Sequence, residues 1–358
     1  MRIAINTGGG DAPGLNAAIR AATLAALKRG WEVFGIKNGY GSIYTDEPFI
    51  KMDESSVRGI TLLGGTILGT ANKGNPFEMP YTKEDGTRGL KDVSDHLVEK
   101  FDEYNIDALV AIGGDGSMHI ANKLVKKGIN IVGVPKTIDN DLWGCDVTLG
   151  FDTARSIATQ SIDRITTTAE SHERLMVIEV MGRYTGWIAL YSGLASTADV
   201  ILIPEIPFTY ESIIEKINER KSKGKNYTMI VVAEGAKRKG GEIVTKGKAL
   251  GQQEQLGGIA QKVADELQER TGQESRSVVL GHLQRGGSPT TYDRLISMRF
   301  GASAIRCVEN KNYNQLVVLK DNKLTTIPLS DVAGKMKSVQ LDSDTVQTAR
   351  DVGICLGD

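Results

Sequence analysis

Short apolar runs rich in Val, Ile and Ala recur along the chain, and between them apolar residues return every three or four positions. The runs at 3–6, 32–37, 108–113, 129–134, 175–180, 200–204, 227–233 and 277–281 read as strands. A continuous apolar run of this length suits a parallel strand buried on both faces. The stretches at 15–28, 118–127, 151–168, 209–221, 257–271 and 292–308 read as helices. In the fifth of them, Ile259, Val263 and Leu267 fall at four-residue steps and form one apolar face. Strands alternating with helices predict an α/β fold with mostly parallel sheets and helices on both faces. Near the C-terminus, 315–319 and 323–327 flank Asp321-Asn322 and read as a β-hairpin. The segment 70–88 is long, charged and contains Gly and Pro, which marks it as a loop and candidate lid. The pattern alone sets a domain boundary only near residue 150.

Composition narrows the function classes. The 358 residues suffice for one large or two modest α/β domains, and 40% apolar content is ordinary for a globular chain. The net charge of −1 argues against nonspecific nucleic-acid binding, so affinity for anions has to come from local Arg and Lys clusters. Cys145, Cys307 and Cys355 are scattered without metal-ligand spacing, which fits a reducing compartment. No apolar run is long enough to span a bilayer and no signal peptide is evident. The expectation is a cytoplasmic protein without membrane or nucleic-acid partners.

The chemistry concentrates where strands end. Gly113-Gly114-Asp115-Gly116-Ser117 follows an apolar strand and precedes a helix. Glycines there allow backbone N–H groups to approach phosphate oxygens, and the helix N-terminus favours an anion. Asp115 supplies a hard oxygen ligand for a phosphate-bound Mg²⁺. A glycine turn required only by packing explains this motif about as well. A second loop, Pro135-Lys136-Thr137-Ile138-Asp139-Asn140-Asp141, follows the next strand. Asp139 is placed to accept a hydroxyl proton, and Asp141 to hold Mg²⁺ or orient a neighbour. An Asx-rich turn is the plainer reading. A third loop, Thr7 to Asn16, repeats Gly-Gly-Asp after the first strand. Three such loops within 141 residues point to a nucleotide-dependent phosphotransferase.

Five motifs in order resemble the 6-phosphofructokinase family. They are Gly9 to Asn16 (GGDAPGLN), Gly113 to Ser117 (GGDGS), Pro135 to Asp141 (PKTIDND), Glu179 to Gly186 (EVMGRYTG) and Gly281 to Pro289 (GHLQRGGSP). The resemblance implies two three-layer α/β domains of the phosphofructokinase type. The larger, nucleotide-binding domain would take 1–150 and 284–334, and the smaller, sugar-phosphate-binding domain 151–283 and 335–358. It implies ATP-dependent phosphorylation of fructose 6-phosphate at the 1-hydroxyl, in glycolysis, with Mg²⁺ as cofactor. Asp139 matches the catalytic base, Thr137 and Arg183 match groups on the transferring phosphoryl, and Asp115 matches the metal ligand. Gly10, Tyr40, Lys73, Gly114, Gly116, Ser117 and Lys136 fall at donor-side positions, with core packing an equal reading for Tyr40. Asp141, Arg174, Met181, Gly182, Glu234, Arg276, His282 and Arg285 fall around the sugar phosphate. Arg276 enters a strand and His282 and Arg285 follow it, which suggests a shared anion pocket. In the family, the counterparts of Arg174 and Arg276 reach a neighbouring subunit's site, which implies a homo-oligomer, typically a tetramer.

The chain departs from the bacterial ATP-dependent pattern at two places. Asn72 and Lys73 stand where an arginine follows a small-residue segment, so Lys73, shifted by one, is the candidate bridging cation. Lys136 matches pyrophosphate-dependent relatives, whereas Gly116 replaces their bulky acidic residue. A pyrophosphate-dependent phosphotransferase is therefore the alternative. Arg20, Lys223, Lys225 and Asp199 align near the family's effector site, but Leu24, Glu54 and Thr166 replace its arginines, so ADP or phosphoenolpyruvate control is not expected.

Overall fold

A computed structural model of the chain describes residues 1–71, 74–83, 85–247 and 254–358. Two sheets organise it. The larger runs in the order Lys323–Pro328, Gln315–Lys320, Ile131–Pro135, Ala108–Gly113, Arg2–Thr7, Glu32–Gly35, Ile50–Met52. Its five inner strands are parallel, and the outermost strand on each side is antiparallel. Every residue of Ala108–Gly113 and Ile131–Pro135 is buried, as expected of central strands covered on both faces. The smaller sheet, Ser275–Val279, Leu175–Val180, Thr228–Ala233, Val200–Leu202, is parallel throughout. Cys355 bridges to its edge at Val200, so the end of the chain returns to this sheet.

Alternation along Leu175–Val180 decides what each face covers. Met176, Ile178 and Val180 join a core continuous with the larger sheet through the helix Phe151–Ser171. Leu175 and Val177 face a second core under the helices Tyr210–Ser222 and Ile259–Thr271. On the larger sheet, the helices Leu15–Leu27 and Thr291–Glu309 pack so closely that a Cβ at Gly301 would lie 2.3 Å from the Ala18 carbonyl oxygen. Asp293, fully buried on the second of these helices, accepts hydrogen bonds from Gly150 N (2.9 Å), Thr153 N (2.7 Å) and Thr153 Oγ1 (2.6 Å). It thereby caps the helix that leads from the larger sheet to the smaller.

The structure revises several expectations. The helix expected from residue 118 begins at Asp115, with Gly114 at its cap, so the glycine motif supplies the first helical turn. The segment 70–88 is not structureless: Met79–Thr82 pairs with Arg88–Lys91 as an antiparallel ribbon. Its residues are mostly exposed on both faces, so no apolar alternation marked them. The last strand of the smaller sheet lies earlier than expected, at Ser275–Val279, and a 3₁₀ turn follows at Gly281–Arg285. The hairpin at 315–328 forms as read, with Asp321 and Asn322 both at positive φ (48° and 61°). Among the described residues no helix is long and apolar enough to cross a membrane.

Candidate active site

Ile131–Pro135, Ala108–Gly113 and Arg2–Thr7 are adjacent and parallel, so the three motif loops leave the same sheet edge side by side. This is the end of an open α/β sheet where ligands bind. Backbone bonds knit the loops together: Gly8 N donates to Ile112 O (3.0 Å) and Lys136 N to Gly113 O (2.9 Å). Ser117 wedges between the first two. A Cβ at Gly113 would sit 2.2 Å from Ser117 Cβ, and one at Gly8 would sit 2.6 Å from its Oγ. The packing reading of these glycines is therefore correct in part, since close approach to Ser117 requires them. Gly116 differs: a Cβ there would meet nothing within 4 Å, and the position is exposed.

Cations and carboxylates converge beneath the loops. Lys136 is 3% exposed and reaches under the glycines to donate from Nζ to Gly10 O at 2.5 Å. Burial pulls its ammonium down to about 7, helped by Arg285 and opposed by Asp139, Asp11 and Asp141. Arg285 Nη1 donates to Asp11 O (2.9 Å), and its guanidinium lies where a Cβ at Gly10 would be, 2.8 Å from Nη1. Asp139 is 4% exposed, and its Oδ1 has no hydrogen-bond partner among the described residues. Burial raises its carboxyl, while Arg285, Arg183 and Lys136 oppose the rise. Asp141 is pushed up to about 7 by burial and by the adjacent Asp139 charge. Thr137 Oγ1 accepts from Asp139 N (3.1 Å), and Thr148 Oγ1 donates to Thr137 O (2.6 Å).

The smaller sheet contributes a facing turn. Met181, Gly182 and Arg183 follow the C-terminal end of Leu175–Val180, and Thr185 Oγ1 donates across to Asp139 O at 3.3 Å. Gly182 takes φ 143° and Arg183 φ 49°. Arg183 N donates to Glu234 Oε1 (3.1 Å), and Arg183 Nη2 to Glu254 O (3.4 Å). Burial raises the Glu234 carboxyl, and the charge on Asp139 adds to the rise. Gln284, fully buried, accepts from Met181 N (3.3 Å). The turn can lie this close only because residue 235 is glycine: a Cβ there would fall 1.8 Å from Arg183 O.

The remaining candidates are placed differently. Arg174 and Arg276 stand at the opposite end of the smaller sheet, both bonded to Glu274 (Arg174 Nε to Oε2, 2.9 Å). Arg276 is in register with Met176, four residues before Val180, a separation of about 13 Å at the usual strand rise. The shared anion pocket of Arg276 with His282 and Arg285 is therefore not formed within one chain. His282 is exposed on the 3₁₀ turn. Tyr40 is 6% exposed in the core, and burial suppresses the acidity of its hydroxyl. This favours packing over a donor contact. Lys73 lies outside the described residues. Near the effector-type positions, Asp199 is already engaged by Arg220 and by Met229 N (2.8 Å).

Asp115 opens its helix half-buried, and its Oδ1 accepts a 3.3 Å bond from Gly334 N. Asp141 lies near enough for the two charges to repel. Among the described residues no group of three or more His, Cys, Asp or Glu side chains is arranged to hold a metal. One or two carboxylates, completed by phosphate oxygens and water, suit Mg²⁺ rather than an all-protein cage. Sequence reasoning missed Thr185, Thr148, Gln284 and Gly235. Thr185 and Gln284 stand inside the quoted motifs, whereas Thr148 and Gly235 carry no signal beyond residue type.

The phosphofructokinase family profile matches residues 2–308. The chain is 50% identical over 361 residues to "ATP-dependent 6-phosphofructokinase 2" of Clostridium perfringens, covering 100% of this chain and 98% of that one. It is 47% identical to "ATP-dependent 6-phosphofructokinase" of Chloroflexus aggregans over 365 residues, with the same coverage. Among solved structures, phosphofructokinase from Saccharomyces cerevisiae superposes with TM-score 0.77 at 33% identity, covering 92% of this chain. The chain spans 45% of that yeast chain's length. A pyrophosphate-dependent phosphofructokinase from Nitrosospira multiformis gives TM-score 0.81 over 100% of this chain and 92% of that one, at 22% identity, a likeness of fold alone.

Proposed function

The chain belongs to the phosphofructokinase family, and on that basis we propose that it transfers the γ-phosphate of ATP to the 1-hydroxyl of fructose 6-phosphate, giving fructose 1,6-bisphosphate and ADP. The observation that carries this reading is full-length identity to chains named ATP-dependent 6-phosphofructokinase. A coupled assay of ADP release with ATP, Mg²⁺ and fructose 6-phosphate tests it. Turnover that needs the sugar phosphate is expected; its absence overturns the reading. Lys136 is the one feature that favours pyrophosphate, and replacing ATP with pyrophosphate in the same assay decides between the donors.

Phosphoryl transfer asks the protein for alignment, charge neutralisation and removal of one proton. Asp139 takes the proton of the 1-hydroxyl on its unpartnered Oδ1, and its raised affinity for protons suits that role. Arg183 and Thr137 hold the transferring phosphoryl, and Arg183 offers a planar pair of donors. The backbone at Gly10 and Gly114 to Ser117 faces the donor phosphates, with Lys136 beneath. Mg²⁺, held by Asp115 with Asp141 nearby, would neutralise charge on the bridging phosphate oxygens. We place the donor on the larger domain (1–150 and 284–334) and the sugar phosphate on the smaller (151–283 and 335–358). As a glycolytic enzyme, the protein belongs in the cytoplasm.

Arg174 and Arg276 are the remaining cations for the 6-phosphate, together with His282. Their position at the far end of the smaller sheet leaves them available to a neighbouring subunit's site in a homo-oligomer, which we take to be a tetramer. Mixing inactive Asp139→Asn and Arg276→Ala proteins under conditions of subunit exchange should restore part of the activity. No recovery despite demonstrated exchange would mean that each site is built within one chain.

A further inference from the structure

The segment 334–339 crosses from the larger sheet to the smaller, beyond the residues that the family profile matches. It touches each part of the site in turn. Gly334 N donates to Asp115 Oδ1 (3.3 Å). Met336 bridges antiparallel to Leu142. Lys337 N donates to Asp141 O (2.7 Å), and its Nζ donates to Cys145 O (2.7 Å) and Asp146 O (2.9 Å). On the other side, Trp187 Nε1 donates to Lys337 O (2.8 Å), with the ammonium 5.2 Å from the indole centroid. Val339 N donates to Glu205 Oε1 (2.9 Å), which also accepts from Gly186 N (3.1 Å).

Lys337 thus binds on one side the loop that carries Asp139 and Asp141. On the other it binds the helix start just past Arg183 and Thr185. Two carbonyls and an aromatic face fix its ammonium, and its own backbone N–H and C=O each hold one of the two parts. We propose that Lys337 is a positioning residue: through it the 334–339 strap sets the acidic loop against the Arg183 turn. Phosphoryl transfer is sensitive to such alignment, because a misplacement of about 1 Å costs on the order of 10²-fold. The inference rests on the phosphotransferase reading above and adds a residue that touches neither substrate.

The test is a double-mutant cycle in kcat. Lys337→Met removes the ammonium and keeps an unbranched stem. It should lower kcat about tenfold, with KM for ATP and fructose 6-phosphate within about twofold, the pattern of lost transition-state alignment. Lys337→Arg, which keeps charge and donors, should restore most of the loss. Combined with Asp141→Asn, Lys337→Met should cost no more than about twofold further, since residues acting through one another are not additive. Unchanged kcat in Lys337→Met, or an equal loss in both backgrounds, would overturn the proposal. Should Lys337→Met not fold, Trp187→Phe, which removes the donor to the Lys337 carbonyl, carries the same cycle with the same criteria. Wild-type protein that releases no ADP sinks the underlying reading and this one with it; active wild type with an additive cycle sinks this one alone.

Discussion

Asp139→Asn should lower turnover by roughly 10²–10⁴-fold, with a smaller effect on substrate binding. A sugar hydroxyl is a poor nucleophile while it keeps its proton, and Asp139 Oδ1 is a buried carboxylate oxygen without a hydrogen-bond partner among the described residues. Its surroundings make the substitution clean. Thr185 bonds the Asp139 backbone carbonyl and Thr137 its backbone N–H, so neither contact depends on the side chain. The amide keeps the shape of the carboxylate and loses its basicity. Initial rates for wild type and variant, with fructose 6-phosphate and ATP varied separately, give the split between kcat and KM. Turnover near that of wild type would remove Asp139 from the role of base.

Gly116→Asp should nearly abolish use of ATP while leaving the fold intact. A Cβ at 116, on the first turn of the helix Asp115–Val125, meets nothing within 4 Å among the described residues, so a side chain there starts into open space. That space adjoins the loop proposed to hold the donor, where an α-phosphate and nucleoside would extend beyond the two terminal phosphates. A carboxylate there fills the volume and repels a phosphate of like charge. Lys136→Gly should retain much of the ATP-dependent rate, because the ammonium is tied to the Gly10 carbonyl under the loop. Rates with ATP and with pyrophosphate, at equal Mg²⁺ and fructose 6-phosphate, read out both variants. A Gly116→Asp protein that keeps its ATP rate would show that the donor lies elsewhere. A wild type faster with pyrophosphate would reverse the donor assignment.

The central strands were legible because burial on both faces leaves an apolar run, unbroken in Ala108–Gly113 and interrupted only by Glu179 in Leu175–Val180. The glycine loops were legible for the same positional reason, each following such a run. Short or half-exposed elements were not. Ile50–Met52 is three residues long, and the ribbon at 79–91 has no apolar face to betray it. Helix Trp187–Ala195 is largely buried, so no polar stripe marked its period. In the candidate site, residue type and strand position singled out Asp139 and Lys136, and the resemblance added Arg183. They did not reveal that Arg285 bonds the Asp11 carbonyl beside Gly10, since that contact spans 274 positions and depends on how the two sheets face each other. Nor did they separate Arg276 from His282, because the five intervening residues look close in sequence while most of a strand's length divides them. The 334–339 strap carries no periodicity, and its partners lie between 134 and 219 positions upstream, so it left no trace in the sequence.

The order of strands in the larger sheet also governs how the chain assembles as it is synthesised. Five of its strands have emerged by residue 135, yet Ile131–Pro135 borders Gln315–Lys320, which emerges more than 170 residues later. Until then, that strand offers an unpaired and wholly apolar edge, the kind that recruits foreign chains. The hairpin Gln315–Pro328 closes it with an antiparallel outer strand, Lys323–Pro328, that carries Lys323, Thr325 and Thr326. Truncation just before residue 315 would therefore leave the catalytic loops encoded but the sheet open at their side, and the product should aggregate rather than persist as a slower enzyme.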